Sequence, residues 1–118
     1  MSSASLIEQL RAQRTGRVEV EPGRVLLVRR PLEVTEMAAF FRGHDPQALF
    51  IRHVVGWEGV TQADLLGAAI GAADPAPFSR ELADEVLADK ARWVGLAGEW
   101  IVEEIKNHIA KRGTETKN

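Results

Sequence analysis

The stretch VVGWEGVTQADLL, residues 54–66, places one large aromatic, Trp57, between two glycines, Gly56 and Gly59. After an intervening stretch, residues 67–73, comes DPAPFSREL, residues 74–82. The first stretch is too irregular for plain helix or strand and too apolar for a linker. Its residues are helix-end signals. Gly56 reads as the left-handed terminus of a preceding helix, and Gly59 as support for a tight turn. Thr61 and Asp64 then open a short helical turn through Leu66. Phe78 stands just before a Ser79 cap, the place from which a hydrophobic staple fixes chain entry.

Working outward toward the N-terminus, the period of the apolar residues changes twice. Ser5 to about Gln13 reads as a short amphipathic helix with Leu6, Ile7 and Leu10 on one face, and Ser5 and Glu8 at capping-box spacing. In RVEVEPGRVLLVRRP, residues 17–31, Val18 and Val20 alternate with charged residues. Pro22 and Gly23 suit the centre of a tight turn. This predicts a β-hairpin at about residues 17–30. A lone hairpin is marginal in water, so it must lie on helices or pair further, and its free edges are association surfaces. Thr35 then caps a helix carrying Met37, Phe40 and Phe41 that stops at Gly43. Asp45 and Pro46 start another, with Leu49, Phe50, His53 and Val54 as its apolar face and Gly56 as its end.

Toward the C-terminus, Gly67 to Pro77 is a loop rich in Gly, Ala and Pro. Ser79 caps a helix to about Ala88 with Leu82, Val86 and Leu87 inward. Asp89 reads as the cap of the longest helix, to about Lys111, striped by Trp93, Ala97, Trp100, Ile101, Ile105 and Ile109. The expected fold is α+β, a single domain over 1–118, mainly helical with about five or six helices and one N-terminal hairpin. Residues 5–111 are its expected ordered part and 112–118 a frayed tail. Leu49, Phe50, Val54, Leu82, Val86, Trp100, Ile101 and Ile105 are the expected core.

Composition narrows the function classes. The 118 residues suit one domain with a modest core, and 45% hydrophobic residues argue against wholesale disorder. The net charge of −2 lacks the basic excess with which a nucleic-acid binder replaces phosphate counterions. With no cysteine there is no disulfide, thiolate metal site or cysteine nucleophile. The first residues lack a signal-peptide pattern, and no run reaches the ~20 apolar residues of a membrane span. A cytoplasmic protein is the expectation.

No catalytic constellation emerges. His44, His53 and His108 lack the spacing of a metal site. The pairs Glu81/Glu85 and Glu99/Glu103 share helix faces, an arrangement that solvated helix surface explains more simply than metal or acid–base work. No phosphate loop or nucleophile elbow is present. We therefore expect no catalytic residue, metal or cofactor. Arg24, Arg29 and Arg30 form a basic group on the hairpin that fits either an acidic partner or plain solubility. Trp100 reads as core. Trp57 and Trp93 read equally as core or as contact residues, since tryptophan is favoured at interfaces.

At Trp57, Glu58, Gly59, Val60 and Asp64, followed by Pro77, Phe78, Ser79 and Glu81, the chain resembles the tail assembly chaperones of long-tailed phages and prophages. The resemblance covers about residues 5–105, including the order of short helix and hairpin ending in RRP. The alanine-rich loop GAAIGAAD, residues 67–74, departs from it. The resemblance implies a non-catalytic helper in the host cytoplasm that binds the tape-measure protein, with the tail-tube protein as a second partner. It also implies that some members are made in a frameshifted longer form. Homo-oligomer formation is a further association that free sheet edges allow. Nucleic acid and membrane are not expected partners. The candidate contact residues are Trp93 and Leu96 on the last helix, or Arg24, Arg29 and Arg30 on the hairpin. The reading from another class is a structural tail or head–tail connector component that stays in the particle.

Overall fold

The computed structural model describes residues 2–117 apart from residues 43 and 44, with backbone only for Phe41 and residues 114–117. The expectations for Gly43 and His44 lie outside the described residues. Among these there are six helices and a three-stranded antiparallel sheet in the order β1-β2-β3. Helix α1 (Ser3–Gln13) leads into β1 (Thr15–Glu21) and β2 (Arg24–Arg29). Then come α2 (Met37–Arg42), α3 (Pro46–Arg52), β3 (Val54–Glu58), α4 (Gln62–Leu66), α5 (Arg80–Ala88) and α6 (Ala91–Lys117).

The hairpin forms where the period-two pattern places it. Its turn is Pro22–Gly23, with Gly23 at φ +79°. Val18, Val20, Leu26 and Val28 face the core, while Arg17, Glu19 and Glu21 are exposed. Helix α6 crosses this face so closely that a Cβ on Gly16 would lie 2.2 Å from the Trp100 ring. Gly98 of α6 does the same for Phe50 of α3, where an added Cβ would meet the ring at 2.4 Å. Two glycines thus bring α6 down onto the sheet and α3. Val94, Ala97, Ile101 and Ile105 complete the buried stripe.

The main correction concerns residues 53–58. Helix α3 ends at Arg52 with His53 as its cap, and Val54–Glu58 is a third strand rather than the end of that helix. Gly56 lies in this strand and has no positive φ. The reason is a β-bulge. Val28 pairs with Val54 and Leu27 with Gly56, so Val55 is an extra residue. The bulge re-phases the strand so that Val54 and Trp57, three apart, both reach the core. That spacing imitates a helix face, and β-branched Val54 and Val55 favour the strand.

Smaller corrections follow from the caps. Ser2, not Ser5, caps α1 by accepting from the Ser5 amide. Asp89 ends α5 as its C-cap instead of opening α6. Helix α6 runs on to Lys117, past its expected end near Lys111; Asn118 is outside the described residues. The caps at Asp45, Thr61 and Ser79 stand where the sequence places them. Of the expected core, Val54, Ile101 and Ile105 are buried, whereas Leu49, Phe50, Leu82, Val86 and Trp100 are only half-buried.

Candidate functional site

The two halves of the 54–66 and 74–82 pattern meet in space. Strand β3 points Trp57 into the core, where its ring stands edge-on to Phe78 with centroids 5.0 Å apart. The indole N–H donates to the Ala76 carbonyl at 2.9 Å. The backbone sews the same junction. Ala76 donates to Val60, Gln62 to Asp74 and Ala63 to Ala72, at 2.8–2.9 Å. The loop 67–77 is therefore folded back along the segment that precedes it.

Asp64 anchors this junction to the hairpin. It closes a capping box with Thr61, accepting from the Thr61 amide at 2.8 Å. It also takes both Nε and Nη2 of Arg24, at 3.1 and 2.9 Å. The Arg24 guanidinium and the Thr61 amide hold the Asp64 carboxyl down to a pKa of about 2. Gly59 sits against the hairpin turn at φ +75°, and a Cβ there would lie 1.9 Å from the Gly23 carbonyl. Glu58 pairs with Arg17 across the outer face of the sheet.

One residue of the junction carries no sequence signal for its role. Arg80 opens α5 and turns back to the end of α3. There it donates to the carbonyls of Ile51, Arg52 and Val54 at 2.7–3.1 Å and pairs with Asp84. Its guanidinium also stands 5.8 Å from the Phe78 ring. A cation collecting the last carbonyls of a helix stabilises that helix end. The partners lie 26 to 29 residues away, which a linear reading cannot reach.

The proposed contact residues fare differently. Trp93 is 3% exposed and lies in the core, with Lys90 Nζ 4.7 Å from its ring centre. It is not an exposed edge of α6, and Leu96 beside it is half-buried. The three hairpin arginines do not form one group. Arg24 and Arg29 are at opposite ends of β2, about 16 Å apart at the rise of a strand. Arg24 is engaged by Asp64. Arg30 donates to the Pro31 carbonyl. Only Arg29 has a side-chain nitrogen, Nε, that is buried and unbonded. Pro77 is exposed, and Ser79 caps α5 through the Leu82 amide.

His53 is buried between the helix and the strand it joins. Its Nε2 lies 3.3 Å from Glu36 Oε2 but off hydrogen-bonding geometry, and Phe40 packs on its ring. Burial lowers its pKa against the pull of Glu36. His108 pairs with Glu33 at 2.9 Å, and Arg112 with the same carboxylate. Among the described residues no group of three or more His, Cys, Asp or Glu could hold a metal ion. None of their helices is long and apolar enough to cross a membrane.

Among the described residues, apolar surface is open between α4 and α5 and along α1. A cleft of about 420 Å³ between α4 and α5 is lined by Leu65, Leu66, Leu82 and Val86 and edged by Glu85 and Asp89. Beyond it Leu66 and Ile70 are exposed. At the other end of the molecule, Leu6, Ile7 and Leu10 of α1 are each about half exposed and no residue of α1 is buried. No family model, curated protein or solved structure matches this chain.

Proposed function

We propose that this chain is a non-catalytic phage tail assembly chaperone that binds the tape-measure protein during tail assembly in the bacterial cytoplasm. The observation that supports it is the junction at Trp57. The residues carrying the resemblance, from Trp57 to Asp64 and from Pro77 to Ser79, are far apart along the chain yet share one packed and hydrogen-bonded unit. A pattern that acts as one unit marks a shared fold better than scattered matches do. The half-exposed apolar residues of α1 and of the α4–α5 cleft supply surface of the kind that protein partners cover.

The test is co-expression with the tape-measure candidate of the same genome, a very long helical reading frame downstream. We expect the candidate to move to the soluble fraction and to co-purify with this chain. If it stays insoluble and no complex is recovered at low salt, the chaperone reading fails. Recovery of the chain in purified particles would instead favour a structural tail or connector component.

A further inference from the structure

Helix α1 is the least embedded element of the fold, and the cleft beneath it has an unusual charge. This cleft, about 420 Å³, is lined by Ile7, Leu10 and Leu32 together with Arg11, Arg14, Arg29 and Glu36. Among the described residues, none of the three arginine side chains takes part in an ion pair or hydrogen bond. Arg17, Arg24, Arg80 and Arg112 all have carboxylate partners. The one carboxylate in the cleft, Glu36, is turned to the Leu32 amide and to His53. Burial, Arg11 and Arg14 lower the Arg29 pKa while Glu36 opposes them, and three guanidiniums share the cleft with one carboxylate, an excess of positive charge.

The basic lining continues around α1. On its other side Leu10 and Arg14 also line a second cleft, about 610 Å³, with Arg30, Lys111 and His108, though Glu104 lies there too. The two clefts flank a helix whose Leu6, Ile7 and Leu10 are half exposed. The surface is thus an apolar stripe bordered by guanidiniums, and it is longer than one small carboxylate would fill.

We propose that this face of α1 seats an amphipathic helix of a partner protein, apolar on one side and flanked by Asp or Glu. The apolar side packs on Ile7, Leu10 and Leu32 by ridges into grooves. Its carboxylates pair with Arg11, Arg14 and Arg29, for which a bidentate carboxylate is the natural partner. This rests on the reading of the chain as a protein-binding helper, and it fixes which surface binds and what charge the client segment carries.

The test uses the full chain and two synthetic helices of about 18 residues with the same leucine stripe, one flanked by glutamate and one by lysine. Calorimetric titration should show the glutamate peptide binding, more weakly as salt rises, and the lysine peptide not binding. Arg11→Gln/Arg14→Gln should weaken the glutamate peptide about tenfold or more with an unchanged melting temperature, and Ile7→Ser should also weaken it. Equal binding of both peptides, no binding of either, or full binding by the double variant overturns the proposal. Binding of dodecanoate but not of the peptide would make a free carboxylic acid the ligand and overturn it as well. So would a concentration-dependent multimer that the double variant dissolves, because a second copy would then be the occupant. Should the double variant still solubilise the tape-measure candidate, the chaperone reading stands and this seat is wrong.

Discussion

At the scale of single residues, Trp57 and Asp64 hold the junction by different means. Trp57 combines burial, an edge-on contact with Phe78 and a hydrogen bond to Ala76. Trp57→Ala should therefore cost about 3–5 kcal/mol in a denaturant melt, as deletion of a buried large aromatic does. Trp57→Phe keeps an aromatic ring but leaves the Ala76 carbonyl without its donor, and should cost less. Asp64 makes the stability depend on acid. Its folded pKa of about 2 is below the ordinary 3.8, so its contribution is fully present above 3.8 and is lost as the pH falls toward 2. Glu33 is also held below the usual carboxylate range by His108 and Arg112 and acts in the same direction. Melting temperatures measured through that window should fall, and Asp64→Asn should make the fall shallower while leaving the Glu33 part. Trp57 and Asp64 were legible as important from residue type and spacing. The role of Arg80 was not, because its three carbonyl partners come from the end of α3 and the start of β3.

At the scale of elements, caps and turns were readable and strand β3 was not. Asp45, Thr61 and Ser79 each bond an amide three residues on, a local geometry that sequence spacing encodes directly. The same holds for the Pro22–Gly23 turn. Strand β3 depends on pairing with β2 and on a bulge at Val55, so its identity is set by partners well back along the chain, from Val28 opposite Val54 to Val25 opposite Glu58. A helical reading through Val54 fits the apolar spacing, and among local signals the β-branched Val54 and Val55 speak against it. The glycines separate the two kinds of constraint. Gly23 and Gly59 have nearly the same φ, +79° and +75°. Around Gly23 there is open space, whereas a Cβ on Gly59 would strike the Gly23 carbonyl at 1.9 Å. Gly23→Ala should cost about 1 kcal/mol, the lower end of left-handed strain, and Gly59→Ala clearly more because the two turns must separate. Equal losses in parallel urea melts would show that the turn contact is not tight in solution.

At the scale of the whole molecule, the protein is held along α6, and its ends differ in how firmly they are attached. Trp93, Val94, Ala97, Ile101 and Ile105 of α6 are all buried, and Arg92 reaches the carbonyl of Val20, where the β1–β2 register shifts between Glu19 and Glu21. Helix α6 thus joins α3, α5 and the sheet into one core. Helix α1 contributes no buried residue to it. An amphipathic stripe in a sequence is usually read as a core face, yet here Leu6, Ile7 and Leu10 are about half exposed. The pattern identified the helix but could not say whether this chain or another molecule covers it. Removing residues 2–12 should accordingly leave a single cooperative transition with a melting temperature lowered by only a few degrees, on the order of 1 kcal/mol for a domain of this size. Ile101→Ala, which opens a cavity in the centre of α6, should cost about 2–5 kcal/mol. The ranking follows from burial alone. If the truncation proves as damaging as the α6 cavity, the stripe of α1 is seated in the core in solution, and its apolar residues are not open to a partner. If the truncated chain melts as expected but no longer binds the glutamate-flanked peptide, the helix belongs to binding rather than to folding.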